Sequence, residues 1–266
     1  MPLRLSPSKR RYGALKSVRN PNELGKPRLY GLPADLPSKF SLMQWAPAVK
    51  DQGEEGSCTA HAWTSNAEFL FKRYRNVSVT LSPSFVYYQE RVQEGSLDQG
   101  DCGAQVVTGA NVMDLQGAPS ISQEPYVSGD FETSPTAEQM AEAHDWRTGA
   151  YHRLSTVTDI KECIISGYPI VIGFTVYESF EGIGPDGLMP MPSAGEAILG
   201  GHCMFGGVAY DDTVSCRGAA PGAVLMQNSW GPSWGLDGRV WMPYSYLADA
   251  DVVSDIFIQH LGRPWR

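Results

Sequence analysis

Three short runs far apart in the chain constrain its fold more than any other feature. They are Gln52-Gly53-Glu54-Glu55-Gly56-Ser57-Cys58, Gly200-Gly201-His202 and Asn228-Ser229-Trp230-Gly231. A thiol, an imidazole and an amide, with a second side-chain amide upstream of the thiol, form the set that nucleophilic chemistry at sulfur requires. Sulfur attacks, imidazole carries the proton, one amide orients the ring and the other donates to an oxyanion. Such chemistry works only if all four groups meet at one point. The fold must therefore close a loop of well over a hundred residues between the cysteine and its partners.

The chain has 266 residues, 42% of them hydrophobic, enough for one large domain or two modest lobes around a cleft. No run approaches the ~18 apolar residues of a membrane span. The first 20 residues hold charge and proline and lack a signal-peptide core. That leaves open a cytoplasmic compartment or a secreted or periplasmic one with the signal already removed. The five cysteines, Cys58, Cys102, Cys163, Cys203 and Cys216, are too few and odd in number for a disulfide framework. They favour a reducing environment. None has zinc-ligand spacing, so no metal or cofactor is expected.

The net charge of −8 is unevenly spread. Residues 1–39 carry nine Lys/Arg, from Arg4 and Lys9 to Lys39, against two acids, and are +7. The remainder carries 12 basic against 27 acidic residues and is −15. An asymmetry of this size marks residues 1–39 as an interaction arm. Six prolines and no persistent period predict extended or loop structure there.

From Cys58 the pattern is helical: Ala62, Phe69, Leu70 and Tyr74 fall at helical spacing behind Ser57 as a cap. A second helix starts at Leu81-Ser82-Pro83-Ser84, with Phe85, Tyr88 and Val92 on one face. A third follows Asp101-Cys102-Gly103-Ala104, with Val107, Ala110, Met113 and Leu115 apolar, and a fourth spans Ile160 to Ser166. Strand-like runs come next at 169–177, 201–210, 223–228, 238–242 and 255–259, each between Gly and Pro punctuation. Residues 178–200, with five glycines and three prolines, read as a long loop. The outline is α+β, with a helical first half, a sheet-rich second half and a cleft between them.

Cys58 at a helix start has unpaired backbone amides and the helix dipole to favour its thiolate. Taken alone it would read as a small buried hydrophobe. His202, kept clear of bulk by Gly200-Gly201 and Gly206-Gly207, can take the thiol proton and protonate a leaving amine. Asn228 can accept from its second nitrogen, and Trp230 can cover that bond. A plain turn is the simpler reading of Asn228–Gly231 in isolation. His61, His144, His152 and His260 have no such setting and read as structural or surface residues.

Together these motifs resemble the papain-like cysteine peptidases, from about Phe40 to about Gln259, in a compact form closest to bacterial members. The anchors are Gln52…Gly56-Ser57-Cys58, Gly201-His202, and Asn228-Ser229-Trp230-Gly231 followed by Trp234-Gly235 and Gly238. The resemblance implies a two-lobe fold with a helical lobe, about 51–150, and an antiparallel barrel-like lobe, about 151–266 plus 40–50. It implies Cys58 as nucleophile, His202 as base and acid, Asn228 as orienter and Gln52 with the Cys58 amide as oxyanion hole. Gly103, Ala104, Gly201 and Trp230 would contact substrate. The implied reaction is peptide hydrolysis through a Cys58 acyl-thioester on peptide or protein substrates, with cleavage inside the chain. A catalytically idle binding relative and an acyl transferase with the same residues are the alternatives.

The sequence departs from that family in three places. Glu55 stands where a disulfide cysteine is usual, which leaves Cys102 free. Thr59 replaces the usual Trp, and no helical propeptide is present. For the basic arm the resemblance implies an inhibitory, propeptide-like segment lying in the cleft. Contact of the arm with nucleic acid, nucleotide or anionic lipid, or simple disorder, are the competing readings.

Overall fold

The computed structural model describes residues 10–19 and 23–262. Arg4 and Lys9 of the arm, and the last four residues, lie outside that range. In chain order the elements are β1 (Ala14–Leu15), β2 (Lys39–Ser41), α1 (Cys58–Arg75), α2 (Pro83–Glu94), β3 (Ala104–Gln105), α3 (Val106–Leu115) and α4 (Ala137–Ala143). There follow β4 (Tyr151–Arg153), α5 (Val157–Ile165), β5 (Ile170–Tyr177), α6 (Glu178–Glu181), β6 (Ile198–Asp211), β7 (Ala223–Gln227), β8 (Arg239–Pro243), α7 (Tyr244–Leu247) and β9 (Val253–Gln259). The architecture is α+β: helices first, then one antiparallel sheet.

The sheet runs β4-β9-β5-β6-β7-β8, with β2 added along β6. It is open, with β4 and β8 at its ends, rather than closed into a barrel. β6 is the longest strand and the centre of the site. Its register sets His202 opposite Phe174 of β5. Between Gly206 and Ala209 it slips against β7, and Gly207 at the slip has φ +67°. A bulge of this kind re-aims the strand, and glycine takes its left-handed residue without strain.

Helix α1 packs against α2 and α3 on one side and β5 and β6 on the other. Every residue from Cys58 to Phe71 is buried, so the amphipathic stripe expected of it is absent until its last turn, where Tyr74 is exposed. Trp63 Nε1 donates to the Val106 carbonyl at 2.7 Å, and the ring lies 6.3 Å from that of Phe257. A Cβ at Gly109 of α3 would lie 2.2 Å from Trp63, so glycine there lets α3 close on the tryptophan. Phe69 meets Phe205 of β6 at 6.1 Å. These contacts anchor the helix that begins with Cys58 to the strand that carries His202.

Several sequence expectations need correction. The buried residues of α2 are Pro83, Phe85, Val86, Tyr87, Gln89, Glu90 and Arg91, whereas Val92 is exposed, because the helix also covers a polar interior. On α3 the core residues are Val106, Ala110, Val112 and Met113, and Leu115 is exposed. Ser57 makes no capping bond to α1. Its hydroxyl turns to Tyr126 at 3.0 Å and His61 at 3.3 Å. Helix α4 was not anticipated, although Thr136 and Gln139 form the capping box that Thr-x-x-Gln encodes. The 178–200 segment is not all loop: α6 occupies its start.

Candidate active site

Cys58 is the first residue of α1 and is fully buried. The backbones of Cys203, Gly13 and Thr59 lie near its thiol. The sulfur therefore rests against the residue that follows His202, and one of its neighbours belongs to the arm.

His202 Nε2 meets Asn228 Oδ1 at 2.8 Å. The Ser229 backbone N–H also donates to Oδ1 at 2.8 Å, which identifies that atom as the amide oxygen. The neutral ring thus carries its proton on Nε2. Nδ1 keeps its lone pair and is buried with no partner among the described residues. The sequence separates His202 and Asn228 by 26 residues, and the sheet brings them together: β6 carries one, and the other directly follows β7, its neighbour. Trp230, 2% exposed, covers this pair with its ring 5.0 Å from the imidazole. Gln52 is held by Ser229, whose hydroxyl donates to Oε1 at 2.6 Å. Its Nε2 donates to the Glu55 carbonyl at 2.8 Å and reaches the Arg11 carbonyl at 3.5 Å.

The arm lies across this constellation. Arg10 pairs with Asp51 at 3.2 Å, donates to the Trp230 carbonyl at 3.1 Å and stands over the Trp230 ring. Tyr12 bonds Glu181 and edges onto His202. The Gly13 carbonyl accepts from Ala104 N at 2.8 Å, and β1 then pairs with β3 in parallel, Ala14 with Ala104 and Leu15 with Gln105. Ser17 N donates to the buried carboxylate of Asp255. Further on, Glu23 pairs with Arg153, and Lys26 pairs with Asp159 and Glu162. The glycines around the site are spaces for this arm. A Cβ on Gly103 would lie 2.0 Å from the Gly13 oxygen, and one on Gly201 would lie 2.1 Å from the Ala14 oxygen.

The model for the papain family of cysteine proteases matches residues 36–256. The chain belongs to that family. It is 35% identical over 248 residues, 88% of this chain and 76% of the other, to an uncharacterized peptidase C1-like protein of Acanthamoeba polyphaga mimivirus. Its fold is similar to that of xylellain, a cysteine protease from Xylella fastidiosa, with TM-score 0.86, 27% identity, and coverage of 96% of this chain and 98% of that one. It also resembles procathepsin B of Trypanosoma congolense in fold, with TM-score 0.73 at 19% identity over 96% and 88% of the two chains. As a papain-family cysteine peptidase it acts on peptide or protein substrates.

The two side-chain departures from the family pattern, Thr59 and Glu55, have hydrogen-bonded partners of their own. Thr59 donates from its hydroxyl to the buried Glu90 at 2.7 Å. Burial pushes Glu90 well above the usual carboxylate range. All five cysteines are free, Cys102 included. The Glu55 loop is fastened to the Asp101 loop by the Gly56 N–H, which donates to Asp101 Oδ2 at 2.9 Å. Glu55 itself accepts from Gly129 N and Tyr126.

Sequence reasoning missed the aromatic sheath around His202. Besides Trp230 it comprises Phe174, Phe180 and Tyr12, with Trp234 behind. His61 is fully buried, with Nδ1 against the Ser57 carbonyl, and burial holds its pKa at about 3. His152 and His260 pack edge to face, 5.0 Å apart.

The electrostatics differ from expectation. A helix start favours a thiolate, yet burial pushes the Cys58 thiol up to about 12. Burial, with Arg10 nearby as a smaller contributor, lowers His202 to about 4 against the favourable bond to Asn228. Under the arm, desolvation outweighs the helix dipole.

Proposed function

We propose that the protein is an endopeptidase in which Cys58 forms the acyl-thioester, His202 moves the proton and Asn228 holds the ring. The observation that carries this reading is the state of His202: Nε2 tied to Asn228, Nδ1 buried with no partner among the described residues, and the backbone of the next residue, Cys203, near the Cys58 thiol. Nδ1 takes the thiol proton, the thiolate attacks the carbonyl, and the imidazolium protonates the leaving amine. Gln52 Nε2 and the Cys58 amide receive the oxyanion. Cleavage inside a chain follows from the arm's path. It passes the sulfur in both directions, from Asp51 and Trp230 on one side to Ala104 and Gln105 on the other.

The arm is the built-in inhibitor in this reading. Two arm carbonyls are engaged elsewhere: that of Gly13 accepts from Ala104 N at 2.8 Å, and that of Arg11 lies 3.5 Å from Gln52 Nε2. Its charges face carboxylates of the body, as an intramolecular inhibitor of an acidic protein should. A thiol-directed epoxide is expected to modify Cys58 once the arm is displaced, and to spare Cys102, Cys163, Cys203 and Cys216. Adducts spread evenly over the five thiols would reject the reading.

Arm docking should depend on pH. His202 is held at about 4 under the arm, below its ordinary 6.5. The docked state therefore binds fewer protons. Docking is fully favoured above pH 6.5 and weakens as pH falls toward 4, by up to about tenfold per unit for one proton. The polar and charged groups that act on the ring include Arg10, Tyr12, Asn228 and, more weakly, His61, and its other neighbours are the aromatic rings of Phe174, Phe180 and Trp230. The measurement is amide exchange at Ala104, whose N–H the Gly13 carbonyl holds. After correction for intrinsic rates, protection should fall between pH 7 and 5. Constant protection would refute the linkage.

A further inference from the structure

The arm also shows how the cleft reads charge. Against the Glu54-Glu55 loop that leads to Cys58 lies a cavity of about 620 Å³. Its walls include Glu54, Glu55, Asp101, Ser128 and Phe131, with Arg11 of the arm at its mouth. Asp101 is almost wholly buried, with its side chain 6% exposed. It is fixed by two donors: Gly56 N at 2.9 Å and the Tyr87 hydroxyl at 2.5 Å. A carboxylate held this way stays where it is whatever occupies the cavity. The arm supplies an independent observation. Arg11 Nη1 donates to the Asp101 carbonyl at 3.2 Å and stands 3.6 Å from its carboxylate.

The cavity has a fixed relation to the chemistry. Gly56, held by Asp101, is two residues from Cys58. Gln52, the oxyanion donor, begins the same loop. On the other side, Asp101 leads into β3, along which the arm runs. A substrate carbonyl placed between Gln52 Nε2 and the Cys58 amide therefore has its own residue's side chain beside this cavity.

We propose that the cavity is a specificity pocket for an Arg or Lys side chain on the residue that supplies the scissile carbonyl, with Asp101 as its principal counter-ion and Glu54 and Glu55 as additional negative charge. This rests on the peptidase reading above and narrows its substrate class. Phe131 offers an apolar wall for the aliphatic stem. In the resting protein Arg11 takes the place of that substrate cation.

The test uses the full-length chain carrying Gly13→Val to displace the arm, with peptides that differ only in the residue before the cut. Arg and Lys are compared with citrulline, which keeps the shape of Arg without its charge, and with Glu. The expected result is kcat/KM at least about tenfold higher for Arg than for citrulline, with Glu poorest. Asp101→Asn should lower the Arg:citrulline ratio about tenfold. Glu54→Gln, at an exposed position, should lower it about threefold. Reading a ratio removes any general loss from disturbing Gly56 or Tyr87. A ratio near one, or one that neither substitution changes, overturns the pocket while leaving the peptidase reading intact. No cleavage of any peptide, together with no epoxide adduct on Cys58, overturns the peptidase reading and this one with it.

Discussion

Replacing Gly13 with valine should activate the protein. Glycine at this position is where the arm passes closest to the nucleophile loop. A Cβ would lie 1.8 Å from the Gly56 carbonyl oxygen and 2.4 Å from its carbon. Neither can yield: Gly56 is fastened through its N–H to Asp101 and is two residues from Cys58. The arm must leave instead. Overpacking of this severity costs about 1–3 kcal/mol, which shifts the docked-to-open ratio by about 5- to 150-fold. Epoxide labelling of Cys58 and turnover of a small peptide should both rise within that range, while the melting transition of the body stays cooperative. Most substitutions near an active site reduce activity. An increase is therefore diagnostic of an inhibitory contact, and no change in labelling would rule the contact out.

Cys58→Ala should abolish turnover. Measured in the Gly13→Val background, kcat should fall by about 10⁴-fold or more, because the remaining groups then have no nucleophile to activate. The substitution removes one buried sulfur atom, so the fold should survive, as a near-unchanged circular dichroism spectrum would show. The pair of variants also separates two origins of activity. If activation by Gly13→Val persists in the double variant within tenfold, the hydrolysis arises elsewhere and the assignment of Cys58 fails.

The motifs around Cys58, His202 and Asn228 were legible because each is a local pattern: a helix start after small residues, a histidine among glycines, an Asn-Ser-Trp-Gly turn. The order of helices and strands was legible for the same reason, since hydrophobic period and Gly/Pro punctuation act over a few residues. The faces of α2 and α3 were not. Periodicity places Val92 and Leu115 with the apolar residues, but which side of a helix is buried depends on its neighbours. Here Trp63, Glu90 and Gly109 decide it. The role of Ser57 was misread because a capping bond competes with a tertiary one, and Tyr126, distant in sequence, wins. The aromatic sheath around His202 escaped notice because its members come from the arm, β5, α6 and the loops after β7.

What the sequence determined by itself was the inventory: a thiol at a helix start, an imidazole among glycines, two amides, and a cationic arm on an acidic body. These follow from residue type and near neighbours. Tertiary structure alone decided the protonation balance and the use of the glycines. Desolvation depends on everything packed within a few ångströms, and it holds Cys58 near 12 and His202 near 4, against the helix dipole that the sequence suggests. The glycines at 103 and 201 face the arm's backbone, a contact between segments separated by about ninety residues and by nearly two hundred, which no local pattern encodes.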